Sequence, residues 1–561
     1  MFAPPRVRQS PAPRAELVAD ALFLIAVVTL SALPYIGGLG FYSDDWAFFG
    51  HFHASNDQSI RGLFWALYDG DVITRQRPVQ DLVLAALYSA FGLHALGYHL
   101  FNLAVLAAGA VLLYLVAREA GQPRWSALAV PAVWMLLPNA STDRFWVAAF
   151  QITVSMTLYL ASVYAALRAV GARPSRVWAW SIVSAAAFVI AGLAYELVLP
   201  LAVVTIALVV LQFRRLNGGD TAFGTARGRL SWPIVATIVS LATVVVFKAV
   251  TTVRLSVEDG MASRVFHLYL DATKLNFGKY IGGVPFILAW IARHALDPVN
   301  LVAAALVGAI VFAWLWRVRS APGSESRRGA VALILFGLAV FVLGYAIFVT
   351  NSDTWFTSTS LGNRIGFTAS AGVAAVIVGT VALFVSYLSP HASRIAFVSS
   401  IALVACAGTL MVLTLADDWV EAYDAQQRIV RDLRTDLPSL EPRSAVLLSG
   451  VCVERGAAYV FTGNRDVRGR LVIAYDDPTL HGSTVRAAPT ISARTLSVLN
   501  FRIPLVFTYD RLLVYDHARR RVDRLRNAAE GQRYFASTRF DCPPIFEWGL
   551  ERGGWRAWLH P

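Results

Sequence analysis

Two adjacent aspartates, Asp44 and Asp45, follow the first long apolar segment of the chain, within the sequence Tyr42-Ser43-Asp44-Asp45-Trp46. A carboxylate at the bilayer centre costs about 3 kcal/mol on insertion scales, so a carboxylate kept at a membrane surface commonly has a function. Neighbouring carboxylates repel each other, which raises the pKa of one of them. The pair is therefore a candidate general base. Alternatively, Ser43 or Asp44 caps the following helix, which accounts for one acid but not for two.

A second acidic candidate is Asp143, which is followed directly by Arg144 in a short polar segment. A carboxylate here could line the same site as the first pair, and the arginine could bind phosphate or pair with Asp143. The alternative is a helix start, in which Ser141 or Thr142 is the cap and Asp143 lies in the first turn. The residues alone leave both interpretations open.

Four further residues lie at the same predicted membrane face, namely Arg77, His99, Glu196 and Arg364. Arg77 and Arg364 could bind a lipid phosphate or contact headgroups. His99 could take part in catalysis or form a structural hydrogen bond. A carboxylate among apolar residues needs a partner, so Glu196 is predicted to be the counter-ion of an arginine such as Arg364, or to line the site.

The composition defines the class of protein that must position these residues. The 561 residues are 57% hydrophobic and only 15% charged, and the mean hydropathy is +0.55, which predicts a polytopic membrane protein. The formal net charge of +13 comes from short basic clusters between apolar segments. This distribution indicates membrane topology rather than nucleic-acid binding.

About eleven apolar segments are long enough to cross roughly 30 Å of hydrocarbon. They are residues 17–39, 97–117, 125–138, 146–168, 178–195, 197–213, 232–252, 298–316, 329–350, 366–388 and 395–415. Residues 1–16 precede them as a predicted disordered cytoplasmic N-terminus. The surface loops 40–96 and 253–297 are too apolar for floppy linkers, and within the first, Pro78 to Phe91 is predicted to form a short interfacial helix that ends at Gly92.

The arginines alternate with these spans as the positive-inside rule requires. Those on the predicted cytoplasmic side are Arg6, Arg8, Arg14, Arg118, Arg124, Arg168, Arg173, Arg176, Arg214, Arg215, Arg227, Arg229, Arg317, Arg319, Arg327, Arg328 and Arg394. The N-terminus is therefore predicted to be cytoplasmic and the C-terminus extracytoplasmic. Only three of the 49 basic residues are lysines, a composition typical of GC-rich bacteria, which suggests the bacterial inner membrane.

After residue 415 the composition becomes charged and rich in turns, which predicts a small soluble α/β domain over residues 416–561. Residues 470–475 and 512–516 both alternate in the manner of strands. Cys452 and Cys542 both fall in this domain on the oxidising side, so a disulfide between them is plausible.

The order of motifs along residues 15–150 resembles the polytopic glycosyltransferases of the C-fold superfamily, which include protein O-mannosyltransferases and aminoarabinose transferases. The motifs are the acidic pair, Arg77-Pro78, Phe91-Gly92 and Gly97-Tyr98-His99-Leu100-Phe101-Asn102. The resemblance implies a C-fold membrane domain over residues 17–415, and an enzyme that transfers a sugar from a polyprenyl-phosphate donor to a hydroxyl of a glycan, lipid or protein.

The resemblance also implies roles for the candidate residues. Asp44 is similar to the general base, and Asp45 to a neighbour that orients the acceptor or a cation, although the reverse assignment stays open. Asp143 matches a second acid of the site. Arg77, Arg144, Arg364 and His99 are the candidates for binding the donor phosphate. Tyr42 and Trp46, which flank the acidic pair, either line the site or have a structural role.

The chemistry of glycosyl transfer agrees with such a site. An alcohol is a poor nucleophile, so a carboxylate must take its proton as the anomeric carbon develops oxocarbenium character. The ATP-binding and dinucleotide signatures are absent from the sequence, which agrees with a lipid-linked donor. Families of this architecture include metal-dependent enzymes, so Mg²⁺ or Ca²⁺ at Asp44 and Asp45 stays open.

Two other function classes compete with this one. A transporter or flippase of lipid-linked glycans would place ionisable residues near the bilayer midplane and show repeated halves, whereas the charges here are predicted at one face. A membrane-anchored sensor would not need eleven spans.

Overall fold

The computed structural model describes residues 14–217, 223–251, 261–278, 297–318, 322, 327–350, 357–500 and 503–538. The predictions for residues 1–13, for much of the loop 253–297 and for Cys542 lie outside these ranges.

The chain is mostly helical, and ten of the described helices are long and apolar enough to cross a membrane. In chain order the helices are α1 (Arg14–Ala32), α2 (Asp44–His53), α3 (Ile60–Gly70), α4 (Pro78–Phe91), α5 (Ala95–Glu119), α6 (Arg124–Leu136), α7 (Thr142–Phe145), α8 (Phe150–Gly171), α9 (Val177–Ala194), α10 (Ala202–Asn217), α11 (Phe223–Thr251), α12 (Met261–Thr273), α13 (Pro298–Arg317), α14 (Arg327–Ala346), α15 (Phe367–Val385), α16 (Pro390–Asp436), α17 (Asn464–Tyr475) and α18 (Ala528–Ala536).

The predicted span 125–138 corresponds to α6, which has only 13 residues and is therefore not among the ten. Every side chain from Trp125 to Leu136 is buried, because α6 is enclosed by α1, α5, α15 and α16. A helix that is surrounded by other helices makes no contact with lipid, so its length need not match the thickness of the hydrocarbon. With α6 added to the ten, eleven helices of the described residues belong to the bundle, and the predicted multi-pass architecture is confirmed.

The predicted short helix in the first loop is confirmed as α4. Pro78 occupies its first turn, where no backbone N–H is needed, and Gly92 ends it with φ of 55°. Helix α4 packs against α3 and α9. Its position at the membrane interface stays a prediction.

The last long helix, α16, continues for 47 residues and passes beyond the apolar segment into the C-terminal region. The predicted domain boundary at residue 416 therefore lies inside a continuous helix, and the division into domains stays a prediction. Trp419 and Gln426 on the extension are buried against the first loop and the sheet region. The end of the bundle that carries residues 40–94 and the C-terminal region is called the domain face below.

The C-terminal region contains three small sheets. Their strands are β1 (Ala445–Ser449), β2 (Glu454–Arg455), β3 (Ala458–Tyr459), β4 (His481–Thr484), β5 (Thr490–Ile491), β6 (Thr495–Asn500), β7 (Ile503–Thr508), β8 (Leu512–Asp516) and β9 (Arg521–Leu525). The main sheet has the order β4-β1-β8-β9, in which β1 pairs in parallel with β4 and β8, and β9 pairs with β8 in antiparallel. The remaining strands form an antiparallel pair, β2-β3, and an antiparallel sheet, β5-β6-β7.

The strand interpretation is confirmed for residues 512–516, which form β8, but it is wrong for residues 470–475, which end helix α17. Asp466 accepts a hydrogen bond at 2.9 Å from the backbone N–H of Gly463 and so begins the helix. Six alternating residues are compatible with either period, and the start signal decides between them.

Helix α17 crosses the first-loop helix α2 at very close range. A Cβ atom added to Gly469 would lie 2.0 Å from the carbonyl oxygen of Trp46, and one added to Gly50 would lie 2.9 Å from the Cα of Gly469. Two facing glycines therefore allow the backbones to touch. This crossing fixes the position of the C-terminal region over the acidic pair.

Candidate functional site

The two adjacent aspartates point in different directions. Asp45 is completely buried, and its Oδ2 accepts a hydrogen bond from the backbone N–H of Tyr42 at 2.9 Å. Its Oδ1 accepts one from the N–H of Ala148 at 2.6 Å. Burial raises the pKa of Asp45 well above its usual value, and the backbone donors act in the opposite sense. Asp45 therefore fastens the first loop to the segment before α8, and its predicted role in orienting an acceptor or cation stays a prediction.

Asp44 is the accessible member of the pair, with 35% of its side chain exposed. Its Oδ1 lies 3.0 Å from Nε of Arg465, the second residue of α17. Arg465 also forms an ion pair with Asp71 in the turn after α3. The C-terminal region thus contributes a cation that fixes the orientation of the Asp44 carboxylate.

The backbone before Asp44 adopts an unusual conformation. Ser43 has φ of 47°, a region that non-glycine residues rarely occupy. Its side chain forms no cap hydrogen bond, which excludes the proposed Ser43 cap, and its hydroxyl lies 3.3 Å from that of Thr462. Trp146 donates its indole N–H to the carbonyl of Tyr42 at 2.9 Å. Contacts from two distant segments therefore hold this turn in place.

A divalent cation at the acidic pair stays a prediction. Both oxygens of Asp45 accept backbone hydrogen bonds, and Asp44 is turned toward a guanidinium. Among the described residues, no group of three or more His, Cys, Asp or Glu side chains could hold a metal ion.

Asp143 lies in a buried charge cluster with Arg144 and Arg364. Its side chain is completely buried, and neither carboxylate oxygen has a hydrogen-bond partner among the described residues. Burial raises the pKa of Asp143 well above its usual value, and the charges of Arg364 and Arg144 oppose this rise. Arg364 stacks on Trp146 at 5.0 Å, and Arg144 lies close enough to Tyr35 for its charge to act on the Tyr35 hydroxyl. The cluster adjoins the segment that Asp45 fastens.

Glu196 is the counter-ion of an arginine, as predicted, but that arginine is Arg77 rather than Arg364, and Lys248 joins the pair. Arg77 contacts both carboxylate oxygens, at 2.6 Å through one terminal nitrogen and at 3.2 Å through Nε, and Nζ of Lys248 lies 2.8 Å from Oε2. The guanidinium also stacks over the ring of Tyr195 at 4.1 Å. Glu196 lies two residues after the end of α9, and α9 packs against α4, whose first turn follows Arg77. The triad carries one excess positive charge.

His99, Tyr42 and Trp46 make structural contacts. Nε2 of His99 lies 3.0 Å from the carbonyl oxygen of Gly40. The Tyr42 hydroxyl donates to the carbonyl of Trp419 at 2.8 Å, and the Trp46 indole donates to Gln426 at 2.9 Å. All three side chains are buried. These contacts agree with the structural alternative for each residue, and a role for any of them in the site stays a prediction.

Four residues at this face were not singled out by their sequence context, namely Asp71, Asp81, Lys248 and Arg465. Asp81 on α4 is completely buried, and burial raises its pKa to about 8, with the charge of Asp71 acting in the same sense. An acidic residue in the first turn of a helix ordinarily interacts favourably with the helix dipole. The sequence position of Asp81 therefore gave no reason to expect a functional or buried residue. Arg465 has no local signal at all, because its partners are distant in the chain. Cys452 is described, but the pairing with Cys542 stays a prediction.

A search of solved structures finds ArnT from Cupriavidus metallidurans bound to undecaprenyl phosphate, at 15% identity and a TM-score of 0.36, covering 84% of this chain and 85% of that one. An oligosaccharyltransferase from Archaeoglobus fulgidus, tethered with an acceptor peptide, matches at 14% identity and a TM-score of 0.34, covering 78% and 61%. Both are glycosyltransferases of the C-fold superfamily, which the sequence motifs resemble. No protein-family profile or curated protein sequence matches the chain. TM-scores this low carry no argument about what this chain does.

Proposed function

We propose that the protein is an integral-membrane glycosyltransferase that moves a sugar from a polyprenyl-phosphate donor to a hydroxyl acceptor at the domain face. The observation that carries this proposal is that the two aspartates of the acidic pair differ in burial and in their contacts. Asp45 is buried and fastened, whereas Asp44 is accessible and held by Arg465 at 3.0 Å. A fixed, accessible carboxylate at the surface of a membrane domain has the geometry of a general base.

In the proposed reaction, Asp44 accepts the proton of the acceptor hydroxyl. The acceptor oxygen forms a bond to the anomeric carbon of the donor sugar, and the bond from that carbon to the phosphate oxygen breaks. Its electron pair leaves with the polyprenyl phosphate. Arg465 acts as a positioning residue, because it orients the carboxylate without contacting the reacting atoms.

The triad of Arg77, Glu196 and Lys248 supports a place for the donor phosphate. Its excess positive charge attracts an anion, and Glu196 keeps both cations in fixed positions before the donor binds. A small pocket lies between α4, α8 and α9 and is lined mostly by apolar residues, with Gln80 and Gln151 among them. Its volume of about 10 Å³ is too small for a prenyl chain, so the support for a phosphate site here comes from the triad alone.

The arginine distribution favours an extracytoplasmic site, because the basic clusters lie at the opposite end of the bundle from the acidic pair. The transporter alternative is less favoured, since the groups of the site lie at one end of the helices.

Purified protein incubated with labelled polyprenyl-phosphate sugars and extracted cell-envelope acceptors tests the proposal. Donor-dependent transfer of label by the wild type, absent in Asp44→Asn, is the expected result. Transfer that is equal in both proteins contradicts the role of Asp44, and a wild type that transports label without forming a new glycosidic bond contradicts the reaction.

A further inference from the structure

A cavity of about 410 Å³ opens between the first loop and the C-terminal region. Its walls are α2, the turn after α3 and the first half of α17. The floor consists of small or apolar residues, among them Ala47, Ala54 and Val72. The polar groups on its walls are His51, Asp71, Asn464, Arg465 and Arg468.

The polar groups of this cavity combine hydrogen-bond donors and acceptors. Arg465 and Arg468 only donate, Asp71 only accepts, and the amide of Asn464 does both. Burial lowers the pKa of His51, which favours the neutral ring, with one donor and one acceptor. A phosphate would require donors alone, and a cation would require acceptors alone. Sugar hydroxyls, which donate and accept, match the mixed set.

The ion pairs of Arg465 and the size of the cavity are compatible with the same ligand. Arg465 lies between Asp44 and Asp71, so carboxylates already balance its charge. The volume falls in the range of roughly 300–1,000 Å³ that small-molecule sites occupy. The small apolar residues of the floor can contact the C–H groups of a sugar ring.

We propose that this cavity binds a neutral sugar unit of the acceptor. Arg465 and Asp71 belong both to the cavity wall and to the ion-pair network of Asp44, so a hydroxyl at this end of the ligand would lie near the proposed base. The part of this inference that identifies the sugar as a unit of the acceptor rests on the proposed function. Binding of the sugar itself does not depend on the donor or on any reaction.

Saturation-transfer NMR on the purified full-length protein tests the inference, with methyl glycosides of hexoses, pentoses and N-acetylhexosamines as probes and inorganic phosphate as competitor. The wild type is expected to bind at least one glycoside, and phosphate is expected not to displace it. Ala54→Trp, which fills the cavity, is expected to weaken binding at least tenfold. The matched control is Ala529→Trp, at an exposed alanine of α18, which is expected to bind normally.

A second pair of variants covers the case in which the tryptophan disturbs folding. Arg468→Ala removes a donor of the cavity and is expected to weaken binding, while Arg494→Ala, at an exposed position outside the cavity lining, is expected to leave it unchanged. The inference is overturned if no glycoside binds, if Ala54→Trp and Arg468→Ala bind as the wild type does, or if phosphate displaces the sugar. Glycoside binding without transfer would contradict the proposed function alone.

Discussion

Arg465 and Asp44 form an ion pair in which the guanidinium Nε lies 3.0 Å from Oδ1 of the carboxylate. The two residues come from opposite ends of the chain, one from the C-terminal region and one from the first loop. The C-terminal region is therefore part of the candidate site, and its docking should control the orientation of the proposed base.

The contact between Gly469 and Trp46 tests this dependence on docking. Gly469→Ala places a Cβ 2.0 Å from a backbone carbonyl, so α17 must move away from α2, and overpacking of this kind costs about 1–3 kcal/mol. We expect a lower unfolding temperature and much reduced sugar transfer. Gly37→Ala is the matched control, because no atom lies within 4 Å of the added Cβ. Equal stability and activity of Gly469→Ala and Gly37→Ala would show that the crossing is unimportant.

The buried carboxylate of Asp45 should matter for stability rather than for proton transfer. In Asp45→Asn only one side-chain oxygen remains, so the N–H of Tyr42 or of Ala148 loses its acceptor, at a cost of about 1–3 kcal/mol. We expect thermal unfolding of Asp45→Asn at a lower temperature than the wild type. Asp44→Asn, at a partly exposed position, should unfold within about 0.5 kcal/mol of the wild type. The reverse order of stability would contradict the assigned roles.

Variants of the triad distinguish a role in donor binding from a role in structural support. Arg77→Gln alone leaves Glu196 with only Lys248 as a partner, so both stability and donor affinity should fall. The triple variant Arg77→Gln/Glu196→Gln/Lys248→Gln removes all three charges together and should recover stability without recovering the affinity for the polyprenyl-phosphate donor. Titration of the labelled donor measures the affinity. If the triple variant binds donor as tightly as the wild type, the triad has only a structural role.

Asp81 predicts a pH dependence of stability. Its pKa in the folded protein is about 8, above the value of about 3.9 expected in the unfolded chain. Between these values the folded state holds a proton that the unfolded state releases, so stability falls as the pH rises, by at most about 1.4 kcal/mol per unit. Thermal unfolding at pH 5 and pH 8 should show a larger decrease in the wild type than in Asp81→Asn. Identical decreases would contradict the assignment.

The membrane helices and α4 could be predicted because their signals are local. Apolar segments of sufficient length, Pro78 at a helix start and Gly92 at a helix end each specify backbone structure within a few residues. The strand at residues 470–475 was predicted wrongly because a six-residue pattern is too short to distinguish the period of a helix from that of a strand. Its helix depends on the start signal at Asp466.

The partners of the charged residues could not be predicted, because tertiary packing brings them together. Glu196 meets Arg77 and Lys248 through the packing of α4, α9 and α11. Asp44 and Asp45 are adjacent in sequence, but the start of a helix turns successive side chains to different faces, and only the surrounding segments decide which one is buried.

The single-turnover rate of sugar transfer with donor already bound tests the central claim most directly. Asp44→Asn keeps the size of the side chain and removes the basic oxygen, so the rate should fall by about 10²–10⁴-fold while donor affinity is unchanged. A rate within a few-fold of the wild type, in both Asp44→Asn and Asp44→Asn/Asp45→Asn, would contradict the proposed base.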